Sequence, residues 1–257
     1  MTPAPLINGD GTPEPVWRDW LAAQHFAPLL LASLVPMGSR LVVVAPHPDD
    51  EILACGALLA ACVRNSIEVL VIALTDGDAS HGTHDQLAMR RLAERRRAES
   101  ANGLGVLGLL TRHVIRLRLP DGQLRQHQGQ ITAALLHLLN AFDVVVTTWA
   151  LDGHPDHEAA GEAAVAACHA RGCTVLQAPV WMWHWAQPGD ARVPWAHMVA
   201  LGASPEASAL KQQALACHNS QLISAVYGQT PILGAAMRAR AMRPAEYFFK
   251  GAPLYEA

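Results

Sequence analysis

An unbroken apolar run that ends in metal-ligating side chains is the feature that most constrains how this chain can fold. The stretch LVVVAPHPDDE begins at Leu41, and its first five residues predict a strand buried on both faces of a sheet. His47, Asp49 and Asp50 follow directly, and these are metal ligands and acid/base groups rather than ordinary turn residues. We therefore interpret the stretch as one side of a metal site at the end of a buried strand.

Strand and helix patterns alternate through most of the remaining chain. Alternation of this kind favours a mainly parallel sheet with helices on both faces. The predicted strands are residues 41–45, 68–74, 114–117, 143–148 and 174–180. The predicted helices between them are residues 51–64, 85–104, 128–140 and 158–170. Because the sequence shows neither an internal repeat nor a clear linker, we predict a single α/β domain over residues 1–257, with a Rossmann-like, mainly parallel sheet.

The two ends of the chain carry weaker patterns. Residues 1–39 predict a loose arm rich in Pro and Gly, followed by one helix over about 15–34 that packs on the main body. Beyond residue 180, a strand is predicted over 195–201 and a helix over 205–218. For the remaining residues the sequence predicts a mixture of secondary-structure elements, without a clear hydrophobic periodicity.

Composition and charge exclude several classes of partner. Hydrophobic residues make up 51% of the chain and charged residues 16%, which supplies a large core and argues against disorder. The net charge of −3, without a basic or acidic block, argues against binding to nucleic acid or to an anionic membrane. The N-terminus lacks a signal-peptide pattern, no stretch predicts a membrane span, and the five cysteines form no CxxC pair. We therefore expect a cytoplasmic protein with free thiols that binds a small molecule, and the sequence is compatible with a homo-oligomer.

A second polar cluster, DGHPDH, follows the predicted strand 143–148. In parallel sheets ligands bind at the carboxyl ends of the strands, near a topological switch point, so both clusters are expected at one edge. His47 and Asp50 lie three residues apart, a spacing that can aim both side chains at one point. Either His154 or His157 would then complete a set of three protein ligands. Three ligands and one open position are typical of a catalytic zinc site.

Two other interpretations compete with a metal site. A nucleotide-binding turn would need GxGxxG where this chain has PHPDDE, and adjacent aspartates would repel a pyrophosphate. A single HPD turn is more often a helix cap, since Asp is a good N-cap and Pro suits the first helical turn. The metal interpretation is favoured because both clusters follow buried strands.

The paired motifs PHPDDE at 46–51 and HPDH at 154–157 closely resemble those of the PIG-L/LmbE-like zinc-dependent de-N-acetylases. That family includes enzymes that deacetylate N-acetylglucosaminyl-phosphatidylinositol and the N-acetylglucosamine intermediates of mycothiol and bacillithiol synthesis. Further stretches agree with it over roughly residues 41–221, namely TDGDASH at 75–81, RRAE at 96–99, LPDG at 119–122 and HNSQ at 218–221.

The resemblance implies a role for each matching residue of the reaction centre. It implies that His47, Asp50 and His157 bind zinc, although this ligand set also accepts Fe²⁺. It implies that Asp49 is the general base. It also implies that His154 stabilises the oxyanion and helps to protonate the leaving amine.

Other residues are candidates for binding the substrate or supporting the site. The resemblance implies that Arg96 and Asp121 hold the sugar, with the arginine register within the run 95–97 left open. Asp76 either hydrogen-bonds sugar hydroxyls or shapes a turn. Asp156, beside a predicted ligand, is a candidate to fix the orientation of a histidine.

Tryptophans are concentrated in the segment WMWHW at 181–185. Together with Trp149 they are candidates for a sugar-stacking wall, and half of them are expected in the core because alternation in WMWHW puts one face inward. An alternation like that of a strand would put His184 on the face opposite Trp183 and Trp185. His184 is therefore a further candidate residue of the substrate pocket.

The leading hypothesis is a metal-dependent hydrolase of linear amide bonds that removes the N-acetyl group from an N-acetylglucosamine-type amino sugar or conjugate and releases acetate. A second hypothesis keeps the metal site but changes the bond to another amide or an ester on a glycosylated metabolite. A third is a non-catalytic, sugar-binding relative. The intact set of ligands and acid/base groups argues against the third.

Overall fold

The computed structural model describes residue 7 and residues 11–82, 85–224 and 230–251. Its strands are β1 (Ala27–Pro28), β2 (Leu41–Ala45), β3 (Val69–Thr75), β4 (Val114–Leu119), β5 (Val144–Thr148), β6 (Thr174–Ala178), β7 (Met198–Gly202) and β8 (Ala245–Lys250). Its helices are α1 (Glu14–Ala22), α2 (Leu31–Leu34), α3 (Asp50–Arg64), α4 (Gln86–Val106), α5 (Gln128–Leu138), α6 (Pro155–Arg171), α7 (Met182–Trp185), α8 (Pro205–Leu215), α9 (Asn219–Leu222) and α10 (Ala235–Ala241).

In the described part of the chain, the strands form one eight-stranded sheet in the order β1-β7-β8-β6-β5-β2-β3-β4. Neighbouring strands are parallel, except where β8 pairs antiparallel with β6 and β7. The predicted α/β class with a mainly parallel sheet is therefore confirmed. Strand β8 was not predicted, because its sequence shows no clear alternation of apolar and polar residues.

The apolar run at residues 41–45 forms the central strand β2, which is buried along its whole length. Leu41 and Val43 pack into the hydrophobic core on one face of the sheet. Val42 and Val44 pack into the core on the other face. Since successive side chains of a strand point to opposite faces, an unbroken apolar run is what a strand covered by helices on both sides requires.

The chain order changes direction across the sheet between β2 and β5. From β2 the chain adds β3 and β4 on one side, and it then returns to place β5 and β6 on the other side of β2. The adjacent strands β2 and β5 therefore flank a topological switch point, where ligands of such folds bind beyond the carboxyl ends of the strands. The two polar clusters found in the sequence follow these two strands.

The predicted N-terminal helix over about 15–34 is wrong in its extent. The chain forms α1, then the short strand β1, then α2. Ala27 and Pro28 of β1 pair with Val199 and Ala200 of β7 at the edge of the sheet. Pro28 suits an edge strand because proline has no N–H to donate to a ladder. Apolar residues at helical spacing continued across this break, so periodicity alone did not reveal it.

The strand-like alternation predicted for WMWHW is also wrong, because Met182–Trp185 is a helical turn. The carboxylate of Asp152 accepts the backbone N–H groups of Val180, Trp181 and Met182, each at 2.9 Å. Unpaired N–H groups at a helix N-terminus need acceptors of this kind. A residue almost thirty positions earlier in the chain therefore stabilises the turn.

The longest helix, α4, has 21 residues and carries many charged side chains. Within the described ranges, no helix combines the length and the hydropathy that crossing a bilayer would require.

Helix α1 is attached to the main body through Trp17, which is fully buried. Its indole N–H donates to the carbonyl oxygen of Trp183 at 2.8 Å. The two rings meet edge to face with centroids 5.0 Å apart, an arrangement that aromatic pairs prefer. The expected packing of an N-terminal helix on the body is present for α1.

We expect Trp17→Ala to lower the free energy of unfolding by about 3–5 kcal/mol, the usual cost of removing a buried aromatic ring. Denaturant unfolding would measure the change. The matched control is Val16→Ala, because Val16 precedes Trp17 in the same helix and is 46% exposed. Equal effects of the two substitutions would show that Trp17 does not anchor α1.

Candidate metal centre

Three side chains from the segments that follow β2 and β5, where α3 and α6 begin, converge on one point. Nδ1 of His47 lies 3.1 Å and Nε2 of His157 lies 3.3 Å from the same oxygen, Oδ2 of Asp50. Ligands about 2.0–2.1 Å from a tetrahedral ion stand roughly 3.3–3.4 Å from one another, so these separations suit a cation held between the three residues. The structure thus brings together the three residues that the family resemblance implied as ligands.

The ring of His157 is oriented by the buried carboxylate of Asp152. Nδ1 of His157 lies 2.7 Å from Oδ2 of Asp152, so we assign the proton to Nδ1. The lone pair of Nε2 then points toward Asp50. A carboxylate behind a ligating histidine commonly fixes the ring and raises its basicity as a ligand.

The ring of His47 is held in the same way by two carboxylates. Its Nε2 lies 3.1 Å from Oδ2 of Asp156 and 3.2 Å from Oδ1 of Asp121. These three residues also form a second group that could hold a cation. However, both oxygens of Asp156 already accept backbone N–H groups, from Gly122 at 2.7 Å and from Leu124 at 3.0 Å. We therefore interpret Asp156 and Asp121 as supports for His47 rather than as metal ligands.

The electrostatics of the cluster favour a positive ion. Burial disfavours the charged imidazole of His157, but Asp50 and Asp152 outweigh this and raise its pKa to about 9. Burial likewise opposes charge on His47, yet the surrounding carboxylates raise its pKa well above the usual value. The pKa of Asp50 is held well below its usual range by the two histidines, although burial alone would raise it. Residues that stabilise positive charge this strongly fit a divalent cation, and the nitrogen and oxygen donors suit zinc or iron.

Asp49 lies beside the cluster in a strained backbone conformation. Its φ is 149°, which is unfavourable for a residue with a side chain. Its backbone N–H donates to Oε2 of Glu51 at 3.0 Å. Burial raises the pKa of the Asp49 carboxyl to about 7; the positive charge of Arg96 opposes this and the negative charge of Asp50 adds to it.

Arg96 is buried and binds Asp49 rather than facing solvent. Its Nη2 donates to Oδ2 of Asp49 and to the carbonyl oxygen of Pro48, both at 3.1 Å, and its Nη1 donates to the carbonyl oxygen of Gly77 at 2.9 Å. A Cβ at residue 77 would collide with this guanidinium, and the φ there is +69°, so the position requires glycine. Arg96 therefore holds the carboxylate of Asp49 in a fixed place.

The neighbouring arginines have other partners, which settles the register of the run 95–97. Arg95 lies near the surface and donates to Glu99 at 3.0 Å. Arg97 pairs with Asp76 at 2.7 Å. Of the three arginines, Arg96 is the one that reaches the site. Its predicted contact with a sugar stays a prediction.

His154 presents a neutral imidazole to the site. Its Nδ1 accepts the backbone N–H of Asp156 at 3.2 Å, so we assign the proton to Nε2. Burial lowers the pKa of His154 to about 3, and the charges of His157 and His47 act in the same direction. His154 is therefore a hydrogen-bond donor at neutral pH.

A cavity of about 290 Å³ opens onto the cluster. It is lined by the three candidate metal ligands and by Asp49, His154, Arg96 and Asp121, together with apolar residues of the segment 231–237. Asp76 and His184 are not among its lining residues. Of the tryptophans predicted to form a sugar-stacking wall, Trp181 lines the cavity, whereas Trp149 and Trp183 are buried in the core.

Sequence reasoning missed the role of Asp152. Asp152 stands five residues before His157, and this spacing after a predicted strand could have suggested a histidine-orienting carboxylate. Glu51 reads as an ordinary acidic residue at a helix N-terminus. In the fold it is buried and also accepts the hydroxyl of Ser100 at 2.9 Å. No local pattern signals that contact, because Ser100 lies on another helix.

Fold and site together define an α/β protein with a His/Asp/His cluster at its topological switch point. Residues 42–168 match the family described as PIG-L: GlcNAc-PI de-N-acetylase. This matched segment carries His47, Asp50 and His157, and the match confirms the family resemblance that the sequence motifs implied.

Two curated relatives are named as deacetylases. The chain is 31% identical to the diacetylchitobiose deacetylase of Thermococcus kodakarensis over 48% of its own length and 46% of the relative. It is 32% identical to the 1D-myo-inositol 2-acetamido-2-deoxy-alpha-D-glucopyranoside deacetylase 1 of Saccharopolyspora erythraea, over 50% of the chain and 53% of the relative. The chain thus spans about half the length of these curated relatives.

The fold is shared with a solved structure, the N,N'-diacetylchitobiose deacetylase from Pyrococcus horikoshii. The TM-score is 0.58 at 18% identity, over 78% of this chain and 77% of that one. At this identity the likeness supports the fold alone.

Replacing the carboxylate behind His157 should weaken metal binding. We expect Asp152→Asn to lower the affinity for Zn²⁺ about 10- to 100-fold, as is usual for loss of such a partner. Competition with a fluorescent chelator would measure the affinity. Asparagine keeps an oxygen that can accept N–H groups at the start of α7, and the exposed Asp19→Asn is the matched control. Unchanged affinity in Asp152→Asn would contradict the orientation of His157 described above.

Proposed function

We propose that this protein is a metal-dependent hydrolase that removes the N-acetyl group from an N-acetylglucosamine-type amino sugar or conjugate and releases acetate. The observation that carries the proposal is the cavity that the buried base Asp49 shares with His47, Asp50 and His157. Amide hydrolysis needs a base, an electrophilic centre and an oxyanion donor within one pocket. Asp49 and His154 would supply the base and the oxyanion donor, and His47, Asp50 and His157 would hold the electrophilic ion.

His47, Asp50 and His157 would hold the metal ion, with Zn²⁺ as the proposed ion and Fe²⁺ as the alternative. A divalent cation held there supplies a Lewis acid, which polarises an acyl carbonyl and makes water more acidic. Metal analysis of the purified protein distinguishes the two ions.

Asp49 would act as the general base. It would take a proton from the attacking water and return it to the departing nitrogen as the C–N bond breaks. A general base works best when its pKa lies near the working pH, and burial raises the pKa of Asp49 to about 7. Arg96 would keep the carboxylate aimed into the cavity.

His154 would donate the N–H of Nε2 to the oxyanion of the tetrahedral intermediate. Because its pKa is lowered to about 3 by burial, it carries no spare proton at neutral pH. We therefore assign protonation of the leaving amine to Asp49, and oxyanion stabilisation to His154. Removing one such donor commonly costs about 2.7–4 kcal/mol of barrier.

The substrate class follows from the names of the relatives. The two curated relatives are named for removing acetyl groups from diacetylchitobiose and from an inositol-linked acetamido sugar. The shared element is an N-acetylated amino sugar. We place the reaction in the cytoplasm, where a reducing environment would keep the five free cysteines as thiols.

Asp49→Asn should abolish turnover and leave the metal bound. We expect the rate of acetate release from N-acetylglucosaminyl compounds to fall about 100- to 10,000-fold, because the variant lacks a base. An acetate assay and metal analysis of the same sample would measure both properties. Glu94→Gln is the control, since Glu94 is an exposed acidic residue of α4. Full activity of Asp49→Asn would disprove this mechanism, and loss of metal would identify Asp49 as a ligand.

Arg96→Lys should separate a positioning role from contact with the sugar. Lysine cannot reproduce the three hydrogen bonds of the guanidinium, so Asp49 would lose its fixed place. We expect kcat to fall on the order of 10- to 100-fold with little change in KM. Steady-state kinetics would measure the split. A rise in KM at constant kcat would instead support the sugar contact that the family resemblance implies.

A further inference from the structure

Glu51 lies in the first turn of α3 and takes no part in the reaction steps described above. Only 2% of its surface is exposed, and it directly follows Asp49 and Asp50, which are buried as well. Three consecutive buried carboxylates are costly, because burial and mutual repulsion both oppose their charges. An acidic residue that only favoured the start of a helix could do so from an exposed position, so the burial of Glu51 calls for another explanation.

The side chain of Glu51 folds back onto the backbone of Asp49. Its Oε2 accepts the backbone N–H of Asp49 at 3.0 Å. The φ of Asp49 is 149°, a conformation that a residue with a side chain keeps only when its surroundings enforce it. The carbonyl oxygen of Asp49 accepts the backbone N–H groups of Ile52 and Leu53, both at 2.9 Å. Hydrogen bonds therefore hold both ends of residue 49, and Glu51 supplies the one at the N–H.

Glu51 is held in turn by residues of two other elements. Its Oε1 accepts the hydroxyl of Ser100, a buried residue of α4, at 2.9 Å. The Ser100 oxygen accepts an N–H from Nη2 of Arg116, in the edge strand β4, at 3.3 Å. A chain of hydrogen bonds thus runs from β4 through α4 to the backbone of Asp49. Glu51 cannot move away from Asp49 without breaking it.

Glu51 and Arg96 fix different parts of Asp49. Arg96 binds its carboxylate, whereas Glu51 binds its backbone N–H. The backbone conformation sets the direction in which the side chain leaves the chain, so a carboxylate bound only at its tip would lose its aim if the backbone relaxed. The neighbouring metal ligand has a support of its own, because Oδ2 of Asp50 accepts the backbone N–H of His47 at 3.0 Å.

We propose that Glu51 is a positioning residue, which holds the general base Asp49 in its strained conformation through the hydrogen bond to its backbone N–H. This inference rests on the proposed function, because it concerns the base of that reaction. Glu51 acts as a hydrogen-bond acceptor and not through its negative charge. Among the described residues it does not line the cavity, so it affects the reaction through Asp49.

Two substitutions of Glu51 separate the hydrogen bond from the charge. We expect Glu51→Ala to lower kcat for acetate release from N-acetylglucosaminyl compounds about 10- to 100-fold with little change in KM, because a misplaced base slows the chemical step. Glutamine keeps an oxygen for the N–H of Asp49 and an amide that can donate to the Ser100 oxygen, but it carries no charge. Glu51→Gln should therefore recover most of the lost kcat. Metal analysis should find the wild-type metal content in both variants.

The matched control is Glu94→Ala, because Glu94 is an exposed glutamate of α4. It should behave as the wild type does. Ser100→Ala carries the test if Glu51→Ala fails to fold, since it frees Oε1 of Glu51 and leaves the acceptor for Asp49 in place. We expect it to lower kcat about 3- to 10-fold at constant KM, and an unchanged kcat would then reject the proposal.

Three results for Glu51→Ala would overturn the proposal. A wild-type kcat would show that Asp49 needs no hold from Glu51. A loss of kcat equal to that of Glu51→Gln would show that Glu51 acts through its charge. A loss of metal would show that Glu51 supports the metal ligands instead.

Failure of the proposed function gives a different result, namely no acetate from any substrate with the wild type. In that case amide hydrogen exchange at Asp49, followed by NMR, decides the question. Faster exchange in Glu51→Ala than in the wild type and Glu51→Gln supports the hold on residue 49. Equal exchange in all three proteins rejects it.

Discussion

The parallel pairing of β2 with β5 decides where the two histidine-bearing turns lie. Four matched residue pairs join these strands, from Leu41 with Val144 to Val44 with Thr147. Because the strands run in the same direction, both turns leave the same edge of the sheet side by side. If β5 followed β4 in the sheet, it would stand three strand spacings, roughly 14 Å, from β2. His157 could not then share a cation with His47 and Asp50.

Given that pairing, hydrogen bonds to buried carboxylates hold the imidazoles in place. Asp152 accepts N–H groups at the start of α7, and it also lies within hydrogen-bond distance of Nδ1 of His157. Asp156 accepts the backbone N–H groups of Gly122 and Leu124, and it also lies within hydrogen-bond distance of Nε2 of His47. Each carboxylate therefore links a ligand to a backbone segment distant in the chain, and the site is ordered by the same contacts that order its loops. The negative charge gathered in this way favours a cation at the centre.

Much of the candidate site could be predicted from the sequence because its ligands lie in short turns after recognisable strands. Strand β2 and the His47 to Asp50 spacing are local properties, as is the pair of histidines at the start of α6. The errors arise where distant partners decide the local structure. Hydrogen bonds to Asp152 stabilise a helical turn in WMWHW, so His184 does not lie on the face that a strand would give it. Pairing with β7 places Ala27 and Pro28 in a strand, where the sequence predicted a helix. No periodicity within those segments contains that information.

Arg96 and Arg240 are both buried guanidinium groups, but they differ in what they bind. Arg96 donates to a carboxylate and to two carbonyl oxygens, so its charge is used within the fold to hold Asp49. Arg240 donates to one carbonyl oxygen, and two of its nitrogens lack a partner in the described residues. The guanidinium of Arg240 thus holds the segment at Thr12, whereas that of Arg96 lines the cavity that opens onto the metal cluster.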